Sequence, residues 1–225
     1  MKTTAIITAG GSGKRMNSAQ KKQFLLIAGK SILQHTVEKF INNCNIDAIV
    51  ISLPSKEGKA VELDMKKTFP QANLIFANGG EKRQNSVFSA LKKCPSDTDF
   101  VMIHDGVRPF IKDEEITDLI NAAQKYKAVI PVARVKNTIK QVKAGQVLRT
   151  IPRDRLFKAL TPQVFEYQLI FNCTSTALEN NVEFTDDSSI MEYYGYPVHV
   201  LEVGSENFKI TDPFDYEIAK YIIEK

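Results

Sequence analysis

The chain has 225 residues, 43% of them apolar, and 30 Lys and Arg against 26 Asp and Glu give a net charge of +4. That length and apolar content can bury one substantial core, which predicts one α/β domain over 1–225. The modest charge, the absence of Trp and the lack of an aromatic–basic repeat argue against a nucleic-acid partner, and no apolar run reaches the length of a membrane span. Cys44, Cys94 and Cys173 are far apart and form no C-x-x-C pair, so neither a zinc site nor a disulfide framework is predicted. With no signal-peptide pattern after Met1, the expectation is a cytoplasmic protein with reduced thiols.

In chain order, residues 5–7 predict a buried strand that runs into a glycine-rich turn. Ser31 is placed to cap a helix whose apolar face is Ile32, Leu33, Thr36, Val37, Phe40 and Ile41. A second strand is expected over 47–53, ended by Pro54, and then a helix opened by Ser55 with Val61, Leu63 and Met65. A third strand at 73–77, a helix at 82–93 and a strand at 99–103 ending on His104-Asp105 follow. Asp113 is expected to cap the next helix, which precedes a strand at 128–132. Strands alternating with amphipathic helices imply an open, mostly parallel sheet with helices on both faces, a Rossmann-like α/β fold.

The pattern changes over 134–152. Basic residues alternate there with Val135, Ile139, Val142, Val147 and Ile151, with Gly145 between the halves, as in a β-hairpin with little core of its own. A helix at 166–179, another capped by Thr185 and running to Tyr194, and a late strand at 198–203 come next. Asp212-Pro213 opens a last helix, with Ile218, Ala219, Ile222 and Ile223 expected inward.

The chemistry points to the first turn. Gly10, Gly11 and Gly13 let backbone N–H groups approach an anion, and Lys14, Arg15, Lys21 and Lys22 supply four cations within nine residues. At the carboxyl end of a first strand this suggests a polyphosphate site. The dinucleotide fingerprint fails because its third glycine would be Met16. The Walker loop fails at Arg15 and Thr8, and the serine-hydrolase elbow at Lys14.

Ala9-Gly10-Gly11 through Gly13, Arg15-Met16 and Lys22-Gln23-Phe24-Leu25 resemble the opening signature of sugar- and polyol-phosphate nucleotidyltransferases. His104-Asp105-Gly106-Val107-Arg108-Pro109, Ala159-Leu160-Thr161-Pro162-Gln163, Thr185-Asp186-Asp187 and Asn207-Phe208-Lys209-Ile210-Thr211 narrow the resemblance to the 2-C-methyl-D-erythritol 4-phosphate cytidylyltransferase family of the non-mevalonate isoprenoid pathway. The resemblance implies CTP and a small polyol phosphate as substrates and Mg²⁺ or another divalent cation as cofactor. It implies Arg15, Lys22 and Lys209 as catalytic cations, with Lys21 a rival to Lys22. Ala9, Gly10, Gly11, Gly13, Gly80, Glu81, Ser86 and Asp105 are implied at the nucleotide, Asp105 also as a metal contact. Arg108, Thr138, Arg153, Thr161 and Thr185 are implied around the second substrate. The hairpin is implied to be an arm exchanged across a homodimer, bringing Thr138 and Arg153 to the neighbouring site. A ribitol 5-phosphate enzyme and a non-catalytic nucleotide-binding protein stay open as alternatives.

Overall fold

The computed structural model describes residues 1–11 and 21–225, so the predicted site residues Gly13 and Arg15 lie outside the described residues. After β1 (Thr3–Thr8), a 3-10 turn at Lys22–Phe24 leads through the short pair β2 (Leu26–Ile27) and β3 (Lys30–Ser31) into α1 (Ile32–Ile41). The alternation continues with β4 (Ala48–Leu53), α2 (Gly58–Thr68), β5 (Leu74–Asn78), α3 (Arg83–Leu91), β6 (Phe100–Asp105), α4 (Asp113–Tyr126) and β7 (Ala128–Arg134). The remainder comprises β8 (Ile139–Lys143), β9 (Gln146–Ile151), β10 (Phe157–Ala159), β11 (Gln163–Glu166), α5 (Tyr167–Glu179), α6 (Asp187–Tyr193), β12 (His199–Glu202) and α7 (Pro213–Ile223).

Among the described residues, eight strands form one sheet. β5, β4, β1 and β6 are parallel neighbours. β11 pairs antiparallel with both β6 and β7, β10 pairs antiparallel with β7, and β12 adds in parallel to β7. Side chains of a strand alternate between faces, and the core divides accordingly. Ala5, Ile7, Ile49 and Ile51 join α1 and α4 through Leu33, Val37, Ile116 and Leu119. Ile6, Val50, Val101 and Ile103 join α3, α5 and α6 through Val87, Leu91, Ile170 and Ile190. Both faces are covered, which explains why these strands read as continuous apolar runs.

Ser31 caps α1 in a reciprocal box with Gln34, and Asp212 caps α7 with Pro213 in its first turn, as expected. Three expected caps differ. The helix after β4 starts at Gly58, because Ser55–Glu57 form a turn, and Leu63 points to solvent. Lys112, one residue before Asp113, is the N-cap of α4; Asp113 occupies the first turn and accepts from Asn43 Nδ2 at 2.7 Å. Asp186 caps α6 instead of Thr185, since its extended backbone lets the carboxylate accept from Ser189 N at 3.1 Å. On α7, Ala219 is buried but Ile222 is exposed, because the helix offers the small third cluster around Ile27, Ile32, Val107 and Ile210 only a narrow stripe. The hairpin is present as β8–β9, a two-stranded sheet apart from the main one, with Val142, Val147 and Leu148 exposed.

Candidate active site

A cavity of about 510 Å³ opens at the carboxyl ends of the parallel strands. The register places Thr8 of β1 beside Asp105 of β6, while Leu53 of β4 lies beside Asn78 of β5. This is the edge of an open α/β sheet where ligands gather. Thr8, Ala9, Gly10 and Gly11 line one wall; Gly80, Glu81, Lys82, Arg83 and Ser86 line another; Lys22, Gln23, Asp105, Val107, Lys209 and Thr211 complete it.

The backbone is drawn in tightly at two points. Gly10 packs against Ser86, whose Oγ accepts the N–H of Gly80 at 3.0 Å, so the first turn and the segment before α3 are locked together. Gly106 donates its N–H to Thr8 O at 2.9 Å, and a Cβ there would lie 3.0 Å from that same oxygen and 2.9 Å from Leu33 Cδ1. Only glycine lets the turn after Asp105 sit on β1 in this way.

Lys22 and Lys21 part company. Lys22 is 9% exposed, and its Nζ donates to Ile210 O at 2.8 Å, which ties the start of the chain to the segment carrying Lys209. Lys21 instead pairs with Glu57 at 2.8 Å and does not line the cavity. Gln23 donates to the carbonyls of Ala9 and Gly11 at 2.6 and 3.0 Å and so holds the rim of the turn.

Asp105 is the electrostatic centre. Its Oδ2 receives Arg108 Nε at 3.0 Å and Lys209 Nζ at 3.1 Å, and its Oδ1 faces Arg83 Nε at 3.6 Å. Burial alone would raise its pKa, but Lys209, Arg83 and Arg108 together hold it far below the usual carboxylate range. Arg83 reaches on to Asp187, with Nη2 2.6 Å from Oδ2.

A second network positions these charges. The Thr161 hydroxyl accepts from Asp105 N at 3.2 Å and donates to His104 Nδ1 at 3.0 Å. The carbonyl of Arg108 can only accept, so His104 Nε2, 3.0 Å away, carries the proton. Burial lowers the His104 pKa to about 4, which keeps the ring neutral. Asn207 donates to Thr161 O at 2.9 Å and accepts from Arg108 at 3.1 Å. Three distant segments, 104–108, 159–163 and 207–209, are thereby held in one arrangement.

The structure therefore brings together Ala9, Gly10, Gly11, Lys22, Gly80, Glu81, Ser86, Asp105 and Lys209 in the cavity lining, with Arg108 bonded to Asp105 and Thr161 behind it. Thr138, Arg153 and Thr185 are exposed and do not line this cavity; Arg153 donates back to the carbonyl of Lys136 at the base of the hairpin. Gln23, Arg83, Asp187 and Asn207 carry no role assigned from the sequence alone. Each stands inside or beside a motif already quoted, but only their long-range partners show what they do.

The fit to a divalent cation is poor. Asp105 is surrounded by three cationic side chains, and among the described residues no group of three His, Cys, Asp or Glu could hold a metal.

A cavity walled by glycine backbone at a sheet's carboxyl edge, with Lys22, Lys82 and Lys209 in its lining, fits a nucleotidyltransferase on a Rossmann-like sheet. The family model for IspD, 2-C-methyl-D-erythritol 4-phosphate cytidylyltransferase, matches residues 3–225, and the chain belongs to that family. The enzyme of that name from Clostridium novyi (strain NT) is 42% identical over 225 residues, covering 99% of this chain and 97% of the relative. The Clostridioides difficile (strain 630) enzyme is 40% identical, covering 98% and 93%. Among solved structures, 4-diphosphocytidyl-2C-methyl-D-erythritol synthase from Anaerococcus prevotii DSM 20548 superposes with a TM-score of 0.87 at 30% identity, covering 100% of this chain and 96% of that one. The cytidylyltransferase from Thermus thermophilus gives 0.83 at 26% identity, with both chains fully covered.

Proposed function

We infer that the chain transfers CMP from CTP to 2-C-methyl-D-erythritol 4-phosphate, giving 4-diphosphocytidyl-2-C-methyl-D-erythritol and pyrophosphate in the non-mevalonate pathway. The family match across residues 3–225 carries this reading. In the reaction an oxygen of the substrate phosphate forms a bond to the α-phosphorus of CTP as the bond to the β-phosphate oxygen breaks. A phosphate monoester has a second pKa of about 6 and is already largely ionised at neutral pH, so no general base is needed. The site agrees with this. None of the three histidines lines the cavity, and both ring nitrogens of His104 are engaged.

The work is then positioning and charge stabilisation. Lys22 and Lys209 supply positive charge where the triphosphate reacts, and Arg15 joins them by family resemblance. Ala9 to Gly11 and Gly80 to Ser86 take the nucleoside by close backbone approach. Asp105 holds Lys209 and Arg108 in place through its salt bridges. A divalent cation would come with CTP as part of the substrate and offset the charge of its phosphates, in keeping with the preference of Mg²⁺ for phosphates and water. Thr138 and Arg153, at the base of the exposed hairpin, serve the polyol phosphate in the second subunit of a homodimer, and the protein works in the cytoplasm. Pyrophosphate release from CTP, measured separately with methylerythritol phosphate and with ribitol 5-phosphate, tests the assignment. Faster turnover with the ribitol compound overturns the choice of substrate, and equal turnover with UTP or ATP overturns the choice of base.

A further inference from the structure

Asp187 is a buried acid that the mechanism above does not use. Its side chain is 1% exposed, and burial pushes its pKa up against the pull of Arg83. It is held from two sides. Its backbone N–H and that of Ser188 donate to Gln163 Oε1 at 3.1 and 2.9 Å, which fixes the start of α6. Its carboxylate receives Arg83 Nη2 at 2.6 Å. Arg83 lines the cavity, opens α3 and turns its Nε toward Asp105 Oδ1. The guanidinium thus bridges two buried carboxylates carried by separate elements.

We propose that Arg83 is a positioning residue for the transfer reaction and that Asp187 is the anchor that keeps it in place. Arg83 cannot swing onto a bound phosphate without leaving the Asp187 charge buried and unpaired, which is costly. It therefore stays, and its charge, 3.6 Å from Oδ1, biases the rotation of the Asp105 carboxylate. That rotation decides where Oδ2 presents Lys209 and Arg108, which hang on the same oxygen. One bridge ties the nucleotide-binding segment 80–86 to the cations on the opposite side of the cavity.

This rests on the cavity being the transfer site, which wild-type turnover and its loss in Lys22→Ala test separately. The experiment compares Arg83→Gln, Asp187→Asn, the double variant and Arg83→Lys in the full-length protein, by pyrophosphate release and by thermal melting. Arg83→Gln leaves Asp187 buried and unpaired, so the melting temperature should fall on the order of 10 °C. kcat should fall roughly a hundredfold as Lys209 loses its placement. Removing both charges relieves the unpaired acid, so the double variant should melt close to wild type yet keep the low kcat of Arg83→Gln. Asp187→Asn should cost roughly tenfold, and Arg83→Lys should recover little, because a point charge cannot make the two-pronged bridge. A double variant that regains activity together with stability would show that the bridge serves only folding. An Arg83→Gln protein with wild-type kcat, or full rescue by lysine, would equally overturn the proposal.

Discussion

Replacing Lys22 separates the proposed chemistry from mere loop electrostatics, because Lys21 provides a matched control one residue away. The Lys22 ammonium is buried against Ile210 O, whereas Lys21 is partly exposed and paired with Glu57. A unit charge about 4 Å from a phosphate oxygen interacts by about 4 kcal/mol at an effective dielectric constant of about 20. Only the charge that builds up in the transition state counts, which leaves about 2–4 kcal/mol. That corresponds to roughly a 30- to 1000-fold loss of kcat, in the range seen for removal of one transition-state donor. Losing the Lys21–Glu57 pair should cost about 0–1 kcal/mol, and less than about fivefold in kcat/KM. The assay is steady-state pyrophosphate release with CTP and methylerythritol phosphate both varied. Lys22→Met accompanies Lys22→Ala so that the aliphatic stem is kept, and melting curves verify that each variant folds. A Lys21→Ala change more damaging than Lys22→Ala, or a folded Lys22→Met protein that keeps more than about a third of wild-type kcat, would refute the catalytic role of Lys22.

Four further outcomes are expected. His104 has a native pKa of about 4 against an ordinary 6.5, so neutral His104 favours the fold above pH 6.5 and that contribution is lost as pH falls from 6.5 toward 4. The lost stability is at most about 3 kcal/mol, and melting temperatures measured from pH 7 to 4 should fall less steeply in His104→Gln than in wild type. Gly106→Ala should lower kcat/KM at least about tenfold, because its Cβ would meet the Thr8 carbonyl on a strand that cannot yield; unchanged kinetics would contradict the close-approach argument. EDTA should abolish turnover and excess Mg²⁺ restore it, while melting of the ligand-free protein stays unchanged by either; a metal-dependent melting shift without CTP would place the cation on the protein. Mixing Lys22→Ala with Arg153→Ala should regain up to about half the activity per heterodimer, since one site of each mixed dimer then carries neither lesion; no recovery in a verified heterodimer would remove the shared-site arrangement.

Much of this protein was legible in one dimension because its determinants are local. Buried parallel strands show as apolar runs such as 47–53, and amphipathic helices as stripes such as Ile116, Leu119, Ile120 and Ala123. The caps Ser31 and Asp212 act on N–H groups only a few residues away. The glycine turn and its neighbouring cations suggested an anion site, and the ordered motifs pointed to the family. Local signals were ambiguous where two neighbours could do the same job. Thr185 and Asp186 both have capping chemistry, and only backbone conformation chose the aspartate. Ile222 fits the apolar period of α7, but the third cluster is too small to reach it.

Tertiary structure alone decided which charge meets which. Lys21 and Lys22 are chemically alike in sequence, and their fates differ because Glu57 lies on one side and Ile210 on the other. Family resemblance implies Asp105 as a nucleotide and metal contact, and only folding shows Arg83, Arg108 and Lys209 gathered around it. Coulombic and hydrogen-bonding interactions act through space over a few ångströms, and these partners are separated by as many as 188 positions along the chain. Hydrophobic periodicity encodes which face of an element is buried. The charges that the buried sheet then brings into contact depend on topology and register, and no local pattern in the sequence records them.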